Sequence, residues 1–542
     1  MLRWMIAGLV VPAVFLAIAG CGQGGFSERA SAGKENVFRY PIVANPTTLD
    51  PGLVQDGDTN DMLQQVFEGL VRWNVNNEIE GALAESWEID DAGRVYTFTI
   101  REGATFSNGD PVTAEDFKWT IERNTNPSVN SSTAANYLTD IVGVEEKLRG
   151  EAEEVAGVEV VAPNKIQITI KEPAMFFLGK MSYPVSWVLN PRIVPENEGI
   201  TRIDQMIGTG PFVVESYQPN QIVVLKANQE YWDGAPSIEA IERPVTPDPV
   251  TRLNKFRTGE FDLVPLERQD ITAVQKDPVL ASQLKFYDRP AIWYIGMNQD
   301  AYEPFKDRRV RRAFAMAIDR SYIVDTILGG INQEAKGIVP PGVPGHQESP
   351  DTIEFNPEEA QRLLAEAGYP NGQGLPPFEL SFREARPDIR IVAEAVSTQL
   401  KKNLGVDARL QTMEWGAYLN RWNRGEIPFF HMRWMADYLD PQNFLSLMLM
   451  TDGPENKIGY SNAEFDRLCA EADRSMDMAF RLSNYNRAEN IVLQDAPWIP
   501  IYFQRDAELV SPRVQGIRDS LLGHLPHARV RLEDVTTDNQ AE

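Results

Sequence analysis

Strand and helix periodicities alternate along the whole chain, and this alternation restricts the fold more than any other feature. Tyr96, Phe98 and Ile100 alternate with Thr97 and Thr99, the period-two pattern of a strand with one buried face. Ile166, Ile168 and Ile170 repeat it. With Val158–Val161, across Ala162-Pro163-Asn164-Lys165, they predict a hairpin. Val223–Leu225 and Pro428–Trp434 are further strand candidates. Between these runs lie helix signals. Thr113 and Asp116 have the spacing of a capping box and place Ala114, Phe117 and Ile121 on one face. Asn356 is a cap, Pro357 suits a first helical position, and Glu359 completes the box. Leu363, Leu364 and Ala367 follow, with Gly368 as the stop. Val392, Ala395, Val396, Gln399 and Leu400 form another stripe, ended near Gly405. Without an internal repeat, such a mixture predicts an α/β protein. At roughly 150 residues per domain, 542 residues make about three or four domains.

Charge and chemistry narrow the function. Lys and Arg number 52 against 78 Asp and Glu, a net charge of −26. The basic surface that neutralises phosphate is missing, so no nucleic-acid partner is expected. Two Cys and four His argue against zinc clusters, iron–sulfur sites and a disulfide framework; no metal and no cofactor are expected. The chain lacks G-x-S-x-G, H-E-x-x-H, a phosphate-binding P-loop, C-x-x-C and a dinucleotide fingerprint. Carboxylate chemistry leaves no local signature, so a secreted hydrolase of carboxylate type stays as an alternative. The basic run Arg308, Arg309, Arg311, Arg312 reads as a solvated helix face. Gly208 and Gly210 read as a tight turn rather than a phosphate cradle.

The N-terminus sets the expected compartment. Arg3 is followed by the uncharged apolar run Met5–Ala19, about the length of an export signal and interrupted by Pro12. Ile18-Ala19-Gly20-Cys21 resembles a bacterial lipobox. That resemblance implies a signal peptide over 1–20, a lipid on Cys21, a flexible tether over 21–34 and anchoring to a membrane on its extracytoplasmic face. The alternative is an ordinary signal in which Cys21 has no role. No later stretch reaches membrane-spanning length; Phe444–Met450 is short. The tail 536–542 is polar and expected to be disordered.

Several segments then bring in a family. They are Pro46-Thr47-Thr48-Leu49-Asp50-Pro51, Phe67-Glu68-Gly69-Leu70, Leu83-Ala84-Glu85-Ser86-Trp87, and the dense stretch from Tyr96 to Arg123. After them come Gly208-Thr209-Gly210-Pro211-Phe212, Tyr231-Trp232-Asp233-Gly234, the stretch from Arg308 to Arg320, and that from Leu363 to Tyr369. In this order they resemble the bacterial extracellular solute-binding proteins of family 5, receptors of ABC importers for oligopeptides, dipeptides and nickel. Trp434-Met435-Ala436-Asp437-Tyr438 is similar to the oligopeptide-binding members.

The resemblance implies a periplasmic-binding-protein fold of type II, in its large form, with two α/β lobes, a hinge and an inserted extra domain. By analogy lobe 1 is discontinuous, over 35–65, 208–289 and 505–535. The inserted domain covers 66–207, and lobe 2 covers 290–504. It implies a monomer that captures peptides outside the membrane and hands them to a permease and its ATPase subunits, with no catalysis. Asp437 takes the position that binds a peptide's α-ammonium group, and a charged, hydrogen-bonded partner there contributes about 1.5–3 kcal/mol. Trp434 and Trp415 match pocket positions, and Tyr137 falls in a ligand-facing aromatic stretch. Relatives from enteric bacteria have a Cys where Met435 stands, and some relatives have an Arg, contacting the peptide C-terminal carboxylate, where His431 stands. Arg433 lies two residues on, on the same strand face. Either residue remains a candidate for that contact. Within the family the ligand remains open to a sugar, an opine-like compound or a nickel chelate.

Overall fold

The computed structural model describes residues 36–384 and 387–533. The expected signal peptide, Cys21, the tether and the 536–542 tail lie outside the described residues.

Three larger sheets organise the chain. The first runs in the order Val37–Arg39, Ala240–Pro244, Ile222–Ala227, Phe212–Gln218. The second is built from Ala84–Ile89, Val95–Ile100, Lys165–Thr169 and Val158–Ala162. Here the expected hairpin forms, with Val158 opposite Ile168 and Val160 opposite Ile166. Helix Ala114–Asn124 covers this sheet; the Thr113 N–H donates to the Asp116 carboxylate at 2.8 Å, the box its spacing predicted.

The third sheet has seven strands. Its main order is Leu263–Pro265, Trp498–Val510, Leu284–Met297, Phe429–Met435, Glu379–Arg383, Arg409–Met413. From Arg289 to Met297 its central strand is buried at every position, because both faces are covered. Trp293, Ile295, Met297 and Phe429 pack on one side with helix Pro387–Leu404. Ile292, Tyr294, Phe430 and Met432 pack on the other, against helices Ala463–Asp473 and Met478–Asp495. Cys469 is buried and unbridged in the first of these two helices.

Strands Leu284–Met297 and Trp498–Val510 both run through the expected lobe boundaries at 289/290 and 504/505. Their antiparallel register shifts there, between Asp288 and Ile292. At that shift the buried Arg289 guanidinium donates to Asp506 (2.8 Å), to Asp519 (3.0 and 3.1 Å) and to the Ser520 carbonyl (3.1 Å). His524 stands between Glu508 and Asp519, 2.8 Å from each.

The segments that carry the family resemblance meet one another. Arg123 and Asp50 form an ion pair at 2.6 Å with both side chains fully buried, and Asp50 also accepts the Gly52 and Ile200 N–H groups. These extra bonds offset the cost of taking both charges out of water. Glu68 accepts from the Tyr231 hydroxyl at 2.8 Å and the Trp232 indole at 2.9 Å. These motifs join segments of the scaffold.

Two local expectations are corrected. Arg311 leaves the solvated face: it is 4% exposed and donates to the carbonyls of Asp495, Phe305 and Lys306. A helix packed on two sides turns one member of a basic run inward, where backbone acceptors satisfy it. Gly208 and Gly210 do not adopt the left-handed backbone of a tight turn. A Cβ at Gly208 would stand 2.0 Å from the Val66 carbonyl oxygen, and one at Gly210 2.6 Å from that of Gln65. Glycine is needed there for close approach of two backbones. Among the described residues no helix is long and apolar enough to cross a membrane.

Candidate ligand site

The strand Phe429–Met435 carries the chain to Asp437. Alternation sends His431 and Arg433 to one face and Trp434 to the other, with Arg433 opposite Trp293 and Trp434 opposite Ile292. Pairing ends where the Ala436 N–H donates to the Pro290 carbonyl at 2.8 Å. The next residue, Asp437, is half-buried against a segment that lies 300 residues earlier.

That segment is the short helix Ser132–Tyr137, capped by the Ser131 hydroxyl, which accepts the Ala134 N–H at 3.0 Å. The Tyr137 hydroxyl donates to the Asp437 carboxylate. Its ring stacks on Tyr183, with centroids 4.0 Å apart and planes at 11°, and meets the edge of Tyr438 at 6.5 Å. The preceding residue, Asn136, donates to Glu455 at 3.0 Å. Glu455 is 13% exposed and lies 3.7 Å from Lys457. Trp434 donates its indole N–H to the side-chain oxygen of Asn443 at 3.0 Å.

The two acids are both shifted upward. Burial pushes Asp437 up to about 7; the Tyr137 hydroxyl pulls the other way, and the negative Glu455 adds to the rise. Burial also raises Glu455, with Lys457 in opposition. Tyr137 and Tyr183 are raised by burial first and then by the charge of Asp437. This locality thus brings together two acids and two stacked phenol rings, with Lys457 beside the second acid.

Trp415, His431 and Arg433 gather separately, around Trp293. Trp415 opens helix Trp415–Asn423, is 38% exposed and stacks on Tyr418 at 6.0 Å. The Arg383 guanidinium lies over both Trp415 (4.8 Å) and Trp293 (5.6 Å). Arg433 lies 5.8 Å from the Trp293 ring and donates to Gln504 at 3.3 Å. His431 is 1% exposed and 5.2 Å from Trp293; burial, then the charge of Arg383, push its pKa down to about 3. Its imidazole is therefore neutral at ordinary pH.

Tyr137, Trp434 and Asp437 thus share one locality, and Trp415, His431 and Arg433 another. Sequence reasoning missed Asn136, Tyr183, Asn443 and Glu455 in the first, and Trp293, Arg383 and Gln504 in the second. Asn136 had a signal, since it precedes Tyr137 in the same segment. Glu455 lies in a polar loop that reads as a turn and had none. Among the described residues no group of three or more His, Cys, Asp or Glu is placed to hold a metal ion.

Comparison with known proteins matches this architecture. The model of the family "Bacterial extracellular solute-binding proteins, family 5 Middle" matches residues 78–456. The chain is 29% identical over 540 residues to the oligopeptide-binding protein of Bacillus subtilis, covering 95% of this chain and 96% of that protein. It is 30% identical over 550 residues to heme-binding protein A of Haemophilus influenzae, covering 96% and 97%. The solved murein tripeptide binding protein of Escherichia coli superposes with a TM-score of 0.82 at 25% identity, covering 92% of this chain and 99% of that one. Its fold is the two-lobed α/β fold of periplasmic binding proteins, and the chain belongs to the bacterial extracellular solute-binding proteins of family 5.

Proposed function

We propose that this chain is the substrate-binding component of a peptide ABC importer, capturing short peptides outside the membrane and delivering them to the permease. The observation that carries the reading is the Asp437 carboxylate. It is half-buried, faces a second acid, and has a tyrosine hydroxyl, rather than a cation, as its hydrogen-bond donor. A peptide's α-ammonium supplies the missing positive charge and up to three donors, and every unmodified peptide has one. The site therefore selects peptides without selecting sequence.

The remaining roles follow from the same reading. Arg433 rather than His431 meets a ligand carboxylate, because a neutral imidazole brings no charge. Trp434 and Trp415 offer flat apolar area to varied side chains. Lobe 1 (35–65, 208–289, 505–535) with the inserted 66–207 domain closes on lobe 2 (290–504) about the two long strands; the register shift at Asp288–Ile292 supports a pivot there. The receptor is a monomer, catalyses no reaction, and is held by a lipid on Cys21 near its permease and ATPase partners at the periplasmic or extracytoplasmic face.

A second reading, a non-peptide solute, draws on the 30%-identical heme-binding relative. Calorimetry with a mixed di- to pentapeptide library separates the two. Micromolar binding, about −8 kcal/mol, with the peptides recovered intact supports the peptide receptor. Heat from heme and none from peptides supports the second, and peptide turnover would mean an enzyme. N-acetylation of the peptides, or Asp437→Asn, is expected to weaken binding about a hundredfold; equal binding removes the amine anchor.

A further inference from the structure

Asn443 is fully buried at the end of the one-turn helix Pro441–Asn443. Its Oδ1 accepts two hydrogen bonds, one from the Trp434 indole N–H at 3.0 Å and one from the Asp437 backbone N–H at 3.3 Å. Both partners can only donate, so the atom between them must be the amide oxygen. Removing it leaves two N–H groups without that acceptor. Its own turn is held from behind. The Asp440 carboxylate accepts the Gln442 N–H at 3.0 Å and an N–H of the buried Arg481 at 2.9 Å, and the Tyr438 hydroxyl donates to Gln442. Helix Met478–Asp495, which carries Arg481, thereby braces the turn.

Resting on the reading of Asp437 as amine anchor, we propose that Asn443 is a positioning residue of the ligand site, fixing the Trp434 ring and the Asp437 main chain together through one side-chain oxygen. The sequence hid it, since Asp440-Pro441-Gln442-Asn443 reads as an ordinary turn. Its position couples the placement of the carboxylate to the placement of the indole, so a change there moves both ligand contacts at once.

The test compares Asn443→Ala with Asn443→Gln, which keeps an amide oxygen and adds no charge beside Asp437. Without ligand, amide exchange at Asp437 is expected to speed up about tenfold in Asn443→Ala and by less in Asn443→Gln. With ligand, the ratio of affinities for free and N-acetylated tripeptide is expected to shrink about tenfold in Asn443→Ala. A purely structural role would lower Tm and leave that ratio intact, and an unchanged ratio or unchanged exchange overturns the proposal. If Asn443→Ala does not fold, Asn443→Ser, whose hydroxyl is too short to reach both donors, carries the same comparison. Wild-type protein that fails to distinguish free from acetylated peptide overturns the amine-anchor reading, and this inference with it. An intact wild-type preference with an insensitive variant overturns this inference alone.

Discussion

Asp437 and His524 are both titratable groups packed between distant segments, yet their surroundings are opposite. His524 stands between Glu508 and Asp519, and Asp519 also receives Arg289. Burial works against its charge, but the two carboxylates overcome it and raise His524 to about 10. Asp437 has no charged partner of opposite sign among these causes: burial and Glu455 raise it, with the Tyr137 hydroxyl and the Asn443 side chain in opposition. One cluster completes its charges from within the chain and holds two strands where their register slips. The other leaves a charge incomplete, which costs stability, and under the proposed function that charge is the one a peptide's ammonium group completes.

The comparison can be broken in several places. The largest effect is expected from Arg289→Ala, which strips Asp506 and Asp519 of their shared cation; urea unfolding should show a loss of about 3 kcal/mol. Asp437→Asn should do the reverse in the ligand-free protein. A carboxyl with a folded value near 7 and an unfolded value near 4 binds a proton more tightly when folded, so stability falls as pH rises from about 4 to 7. Removing the charge is expected to gain about 2 kcal/mol at pH 8, read as a Tm rise of a few degrees, and to flatten that slope. No gain would mean the carboxylate is already compensated.

For His524 the sign is opposite. A histidine raised from 6.5 to about 10 contributes fully below pH 6.5, and its contribution fades as pH climbs through 10. Thermal melts from pH 7 to 10.5 should therefore show a progressive loss that His524→Gln lacks. The smallest effect is expected from Trp415→Ala. The ring is 38% exposed, so peptide affinity should fall only about two- to fivefold; a hundredfold loss would place the ligand's main contact there and not at Asp437.

The scaffold was legible where the signal is local. The hairpin of Val158–Ala162 with Lys165–Thr169, and helix Pro357–Glu366 with the Asn356 cap, follow from period and capping alone. Arg311 was not, because whether a basic side chain faces water depends on what packs against its helix. At the site, Asp437 and Tyr137 were reached only through resemblance, since no sequence pattern joins residues 300 apart. Glu455 and Asn443 were invisible for the same reason: their roles come from neighbours brought in by the tertiary fold. Asp50, Glu68 and Arg123, which lie in the family motifs, join motif segments of the scaffold: Asp50 pairs with Arg123, and Glu68 accepts from Tyr231 and Trp232.

Cys469 is buried, and its thiol is held well above the usual range by burial. Alkylating reagents and oxidants should therefore pass it by. In a chain begun after Cys21, two cysteines placed at the exposed positions Ile89 and Met476 would be the thiols that react. Spin labels attached there would let a single distance, measured in solution with and without peptide, test the proposed closure.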